Sequence, residues 1–263
     1  MTATTARRRA RLRSIAVATF AGFLSGAVAL GIGARLAMRV VALIGGDADV
    51  GKETDAGFTV GDVTAFTIFL ALLGGAAGAF GGMLYAAMRR RLAWAGRWRG
   101  LAFGSLVLVI FASPLIEGSN PDFAEFGIPI VNIALFSVLF LFFGILIAPV
   151  YDDLQRAVAP PSNTIAGYVL VAAQGGGMLL LVPATAIVMA ALIADGGDAI
   201  KVLLMLTLFA YLLIVQQLPS LIRRFRPAVA GARGHEILLS VMPLAPPVAV
   251  GVALDVRELL AIF

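Results

Sequence analysis

The sequence predicts an all-α, polytopic transmembrane helical bundle of about seven spans, or six if the last is re-entrant, with no soluble domain. Three observations carry this expectation. Of 263 residues, 60% are hydrophobic and 13% charged, where a soluble domain carries about 45–50% and about 25%. The apolar residues gather in runs that reach the ~20 residues a helix needs to cross ~30 Å of hydrocarbon. The basic residues gather as well, in arginine blocks that border those runs.

Residues 1–13 read as a basic cytoplasmic segment and 14–263 as a single transmembrane domain. The first span, 14–44, follows Arg7, Arg8, Arg9, Arg11 and Arg13 and is longer than one crossing requires. Its start resembles a secretory signal with Ala27-Val28-Ala29 as the cleavage site, but the apolar run continues to Ile44, as in an uncleaved anchor. The second span, 63–88, ends on Arg89, Arg90 and Arg91. The third and fourth cover 100–116 and 128–150. The fifth, 164–193, is broken by Gly175, Gly176, Gly177 and Pro183. The sixth, 200–222, runs into Arg223, Arg224 and Arg226. The seventh, 237–254, carries Pro243, Pro246 and Pro247, which leaves a crossing and a re-entrant segment both open.

The net charge of +5 and the pI of 10.2 would suit a nucleic-acid binder, so the distribution decides. Loops after odd spans are acidic, with Asp47, Asp49, Glu53, Asp55 and Asp62, then Glu117, Asp122 and Glu125, then Asp195 and Asp198. Loops after even spans hold the arginines. Lys and Arg set orientation, so the N-terminus and the even loops are expected in the cytoplasm of a cell inner (plasma) membrane. The basic charge orients the chain, and no nucleic-acid partner is expected. Trp94 and Trp98, with Tyr85, Tyr151 and Tyr168, fall near the cytoplasmic interface and read as an aromatic belt.

Gly74, Gly78 and Gly82 recur every fourth residue and form one ridge without side chains; Gly22 and Gly26 offer a matching strip on the first span. Such strips let helix backbones approach closely in lipid. The Gly175–Gly177 and Pro183 break weakens its helix, as a kink or as the discontinuous helix of a transporter.

Chemistry has few places to sit. The chain has no cysteine, which removes disulfides, thiolate metal sites and cysteine nucleophiles. Its one histidine, His235, lies in a loop beside Glu236. Ser105 and Asp152 therefore lack the intramembrane partners that serine or aspartyl hydrolysis needs. Spans three to six hold no acid or base between their ends, which argues against proton coupling. The segment Asp47-Ala48-Asp49-Val50-Gly51-Lys52-Glu53 lacks an oxygen ligand at Gly51, and Lys52 would repel calcium. No metal, cofactor or catalysis is expected.

Arg35 and Arg39 stand out because they break the inside-positive trend at i and i+4 on one helix face. Counted from Ser14, Arg35 lies ~31 Å along the helix, at the outer interface. Both are expected to pair with outer acids such as Asp47, Asp122 or Glu125, or instead to grip lipid phosphate or form an anion site with the loop that holds Asn120 and Asp122. The expected function is thus a non-enzymatic membrane protein that binds a lipid headgroup, a small anion or a membrane-protein partner. The alternative is a small-solute transporter or channel built on the broken fifth span.

Overall fold

The computed structural model describes residues 3–45, 65–112, 128–157, 207, 211–212 and 244–262. The described residues are helical with short connections and contain no strand. The fifth expected span, with Gly175, Gly176, Gly177 and Pro183, lies outside them, as do Asn120 and Asp122.

Helix α1 (Ala3–Gly26) begins just before the first arginine block, runs through it and continues through a π-helical segment, Ala27–Ile32, into α2 (Gly33–Gly45). Helix α3 (Ala65–Met88) ends at the second arginine block. A 3₁₀ segment, Arg91–Trp98, turns the chain, with Gly96 at φ 54°, a backbone setting that suits glycine. Helix α4 (Arg99–Phe111) follows. Helix α5 (Pro129–Ala157) opens on proline, whose missing N–H costs nothing in a first turn. Helix α6 is Ala245–Ile262.

Among the described residues, three helical stretches are long and apolar enough to cross a membrane: Arg13–Ile44, Thr67–Met88 and Pro129–Ala157. The last apolar run differs from its expected bounds of 237–254. Helix α6 ends at Ile262, about two turns past the expected end; residues 237–243 lie outside the described residues, and Pro246 and Pro247 fall in the first turn of α6, where proline is tolerated. The shift also brings Asp255, Arg257 and Glu258 into the helix.

The helices meet through missing side chains. A Cβ added at Gly22 would strike the Gly78 carbonyl and come within 2.7 Å of Gly82 Cα. One at Gly26 would strike the Gly74 carbonyl and come within 2.6 Å of Gly78 Cα. Helices α1 and α3 therefore touch backbone to backbone along the strips Gly22, Gly26 and Gly74, Gly78, Gly82. The strip extends to Gly31, where a Cβ would lie 2.8 Å from the Leu70 carbonyl. A second contact of this kind joins α4 to α5, with Gly100 and Gly104 against Gly144. Gly81 lies under the Phe143 ring, and Gly251 seats α6 on α4 at Val109 and Ile110.

Lipid offers no hydrophobic driving force between helices, so such close dispersion contacts dominate association. Gly78→Leu must push two backbones apart and should lower stability by about 1–3 kcal/mol. Ala77→Leu, on the exposed face of the same helix, should change little. Thermal unfolding of both variants in detergent checks this, and equal midpoints would contradict the packing.

Candidate functional site

Arginines mark two regions of the described structure, one towards each end of the long first rod.

At the first, the start of α1, the end of α3, the start of α4 and the end of α5 converge. Ser14 Oγ lies 3.0 Å from Tyr151 Oη, and Arg13 Nη2 donates to the Gln155 carbonyl at 2.7 Å. Tyr85 meets Phe103 and Tyr151 edge-on at ring separations of 5.2 and 5.6 Å. The Arg89 guanidinium lies 5.1 Å from the centre of the Tyr151 ring, a cation–π contact. Arg99 pairs with Asp152, and Arg156 with Asp153. Arg91 is buried; burial lowers its pKa from the ordinary arginine value and Tyr211 partly offsets this, leaving a guanidinium that stays charged.

These contacts correct the aromatic-belt expectation for two residues. Tyr85 and Tyr151 are fully buried because four helices close around their rings. Trp94 and Trp98 remain exposed on the 3₁₀ segment, and Arg97 stacks 5.0 Å from the Trp98 ring centre. Tyr168 lies outside the described residues. Beside Trp98 an open groove of about 480 Å³ runs between Gly96–Leu101 and the end of α5, bordered by Arg97, Arg99, Asp152, Asp153 and Arg156. Pro149 also borders it, and proline leaves the carbonyl of Ile145 without its helical donor.

The second region is the arginine pair of α2. Arg35 is 8% exposed, and among the described residues its Nη2 has no hydrogen-bond partner. Arg39 is exposed. Four residues apart on one helix, the two thus occupy different surroundings and share no common open face. Neither has a carboxylate partner among the described residues. Asn120 and Asp122, expected beside them, fall outside.

Fold and polar ends together define an all-helical protein with apolar, membrane-competent helices and an arginine-rich end. No protein-family model, no curated protein and no solved structure matches the chain.

The two buried tyrosines make opposite predictions. Tyr151→Phe loses the Ser14 contact and should cost about 0.5–1.5 kcal/mol. The Tyr85 hydroxyl is buried with no hydrogen-bond partner among the described residues. Tyr85→Phe should therefore leave stability unchanged or raise it, because an unsatisfied polar group is removed. Unfolding midpoints of the two variants decide; a loss at Tyr85 equal to that at Tyr151 would contradict the assignment.

Proposed function

We propose that the chain is a non-enzymatic, multi-pass protein of the cell inner (plasma) membrane, with a cytoplasmic N-terminus, whose arginine-rich end holds anionic lipid headgroups. The observation that carries this reading is the make-up of that end. Arginines from separate parts of the sequence, Arg13, Arg89, Arg97, Arg99 and Arg156, gather at one end of the apolar helices beside exposed Trp94 and Trp98. Basic residues favour the cytoplasmic side of a membrane, and tryptophan favours the headgroup level.

Charge supports an anionic lipid as occupant. Asp152 and Asp153 engage Arg99 and Arg156. Arg90 and Arg97 are exposed, and neither pairs with a carboxylate among the described residues. The cytoplasmic leaflet carries the anionic lipids that attract such cations. Trp98 supplies an apolar face for the acyl boundary while Arg97 reaches the phosphate.

Two measurements test the proposal. Cysteine placed at Arg90 in this cysteine-free chain should resist impermeant thiol reagents in intact cells and react once the membrane is opened. Labelling in intact cells would reverse the orientation. In nanodiscs, Arg90→Gln with Arg97→Gln should weaken retention of phosphatidylglycerol by about 1 kcal/mol per charge removed. Phosphatidylcholine retention should not change. Equal loss of both lipids, or of neither, would sink the headgroup reading.

A further inference from the structure

The groove beside Trp98 holds hydrogen-bond acceptors as well as cations, and it owes them to one face of α5. Ile145, Pro149, Asp152 and Arg156 follow at i, i+4, i+7 and i+11, so they share a helix face, with Ala148 and Asp153 at its edges. All six border the groove, and residues 96–101 form its other wall. Gly100 brings that wall close, since a Cβ there would lie 3.1 Å from Ala148 Cβ.

The two aspartates keep capacity to accept. Asp152 meets Arg99 through Oδ2, and Asp153 meets Arg156 through Oδ1. The other oxygen of each carboxylate accepts no hydrogen bond from the described residues. A third acceptor comes from the backbone. Pro149 has no N–H, so the Ile145 carbonyl lacks its i+4 donor on the face that borders the groove. Three arginines against two aspartates leave one positive charge there, carried by Arg97, which has no carboxylate partner among the described residues.

This arrangement calls for a ligand with a negative group and hydrogen-bond donors side by side. A primary ammonium has three N–H donors, which two carboxylate oxygens and one carbonyl match in number. A phosphate joined to it would meet the planar fork of Arg97. A quaternary ammonium fits poorly. It has no N–H to donate, and such groups are held by cages of several aromatic faces. Trp98 is the only aromatic residue among those described at the border of the groove, and Arg97 already stacks on it at 5.0 Å.

We infer that the groove between residues 96–101 and the end of α5 binds an aminophospholipid headgroup, a phosphate joined to a primary ammonium. Asp152, Asp153 and the Ile145 carbonyl take the ammonium, and Arg97 takes the phosphate. The inference rests on the headgroup reading in placing this end of the helices among lipid headgroups, and goes beyond it in the class of headgroup. Leu101, Ala148 and exposed Ile145 supply the apolar wall on which the glycerol end of the lipid lies.

The test titrates the full-length chain in detergent with short-chain phosphatidylethanolamine and with its N-methyl, N,N-dimethyl and N,N,N-trimethyl forms. Phosphate and net charge stay constant along this series while N–H donors are removed one by one. Affinity should fall at each step, by about 10-fold or more in total, the order expected for hydrogen bonds to a charged group. Pro149→Ala returns a donor to the Ile145 carbonyl and should weaken the ethanolamine form several-fold while leaving the trimethyl form unchanged. That variant removes a helix breaker, so the loss would not come from a weakened helix. Asp153→Ala, at an exposed side chain, should also compress the series.

Equal affinity for all four lipids, no binding of the ethanolamine form, or preference for the trimethyl form would overturn the inference. So would an unchanged series in both variants. The preference for phosphatidylglycerol over phosphatidylcholine in nanodiscs reports separately on the headgroup reading. If that preference holds while the methylation series is flat, only the ammonium site falls. If the series keeps its slope while that preference is absent, the anionic-headgroup reading falls and the groove stands.

Discussion

The contact between the backbones of α1 and α3 is the constraint on which the remaining geometry depends. Inside a bilayer, apolar side chains gain nothing by leaving lipid for another helix, so association rests on close dispersion contact and on polar groups that find partners. Gly22, Gly26 and Gly31 against Gly74, Gly78 and Gly82 supply that closeness, with backbone atoms filling the space where Cβ atoms would sit. Because the contact is between backbones, it tolerates little sliding. It fixes the height of α1 against α3 and so brings Ser14 and Arg13 level with Tyr85 and the end of α5.

The same constraint explains the π segment. A strip of small residues spaced by four drifts slowly around a straight α-helix and cannot face one partner for long. Five-residue spacing at Gly26 and Gly31, matched by i→i+5 bonding, keeps glycine against α3 for a further turn. The consequence appears on α2, whose inward face is displaced by about one residue to Ala34, Ala37 and Val41, leaving Leu36 and Val40 exposed.

The two ends of the rod use arginine differently. At the end that holds Arg13, guanidinium groups meet backbone carbonyl, carboxylate and aromatic ring in turn, so charge is largely distributed among partners. Exposed Arg90 and Arg97 remain beside Trp94 and Trp98, at the rim of an open groove. On α2 the positions are reversed: one guanidinium is enclosed and the next is open. A helix of uniform composition can carry these contrasting environments because its neighbours, and not its own residues, decide which face is covered.

Local composition and spacing determined much of this protein. Hydropathy alone required helices in apolar runs; arginine marks the end of α3 and proline the start of α5, whereas α5 runs seven residues past its expected end at 150, to Ala157. The four-residue spacing of Gly22 with Gly26, and of Gly74, Gly78 and Gly82, was legible as two strips without side chains. Gly31 was not, because its five-residue offset has meaning only once the helix winds as π. The Gly100, Gly104 and Gly144 contact was not read from the sequence, because two glycines at i and i+4 meet a partner helix that offers a single glycine. Tyr85 and Tyr151 looked interfacial because tyrosine near a span end usually is; four converging helices bury them. The last helix runs past the end of its apolar run to Ile262, taking in Asp255, Arg257 and Glu258, which hydropathy alone had excluded. Arg35 was conspicuous by its charge, yet its burial, and its separation from Arg39, came only with tertiary structure. Sequence periodicity assumes one constant twist, whereas the π turn moves the inward face of α2 to Ala34, Ala37 and Val41 and leaves Leu36 and Val40 exposed.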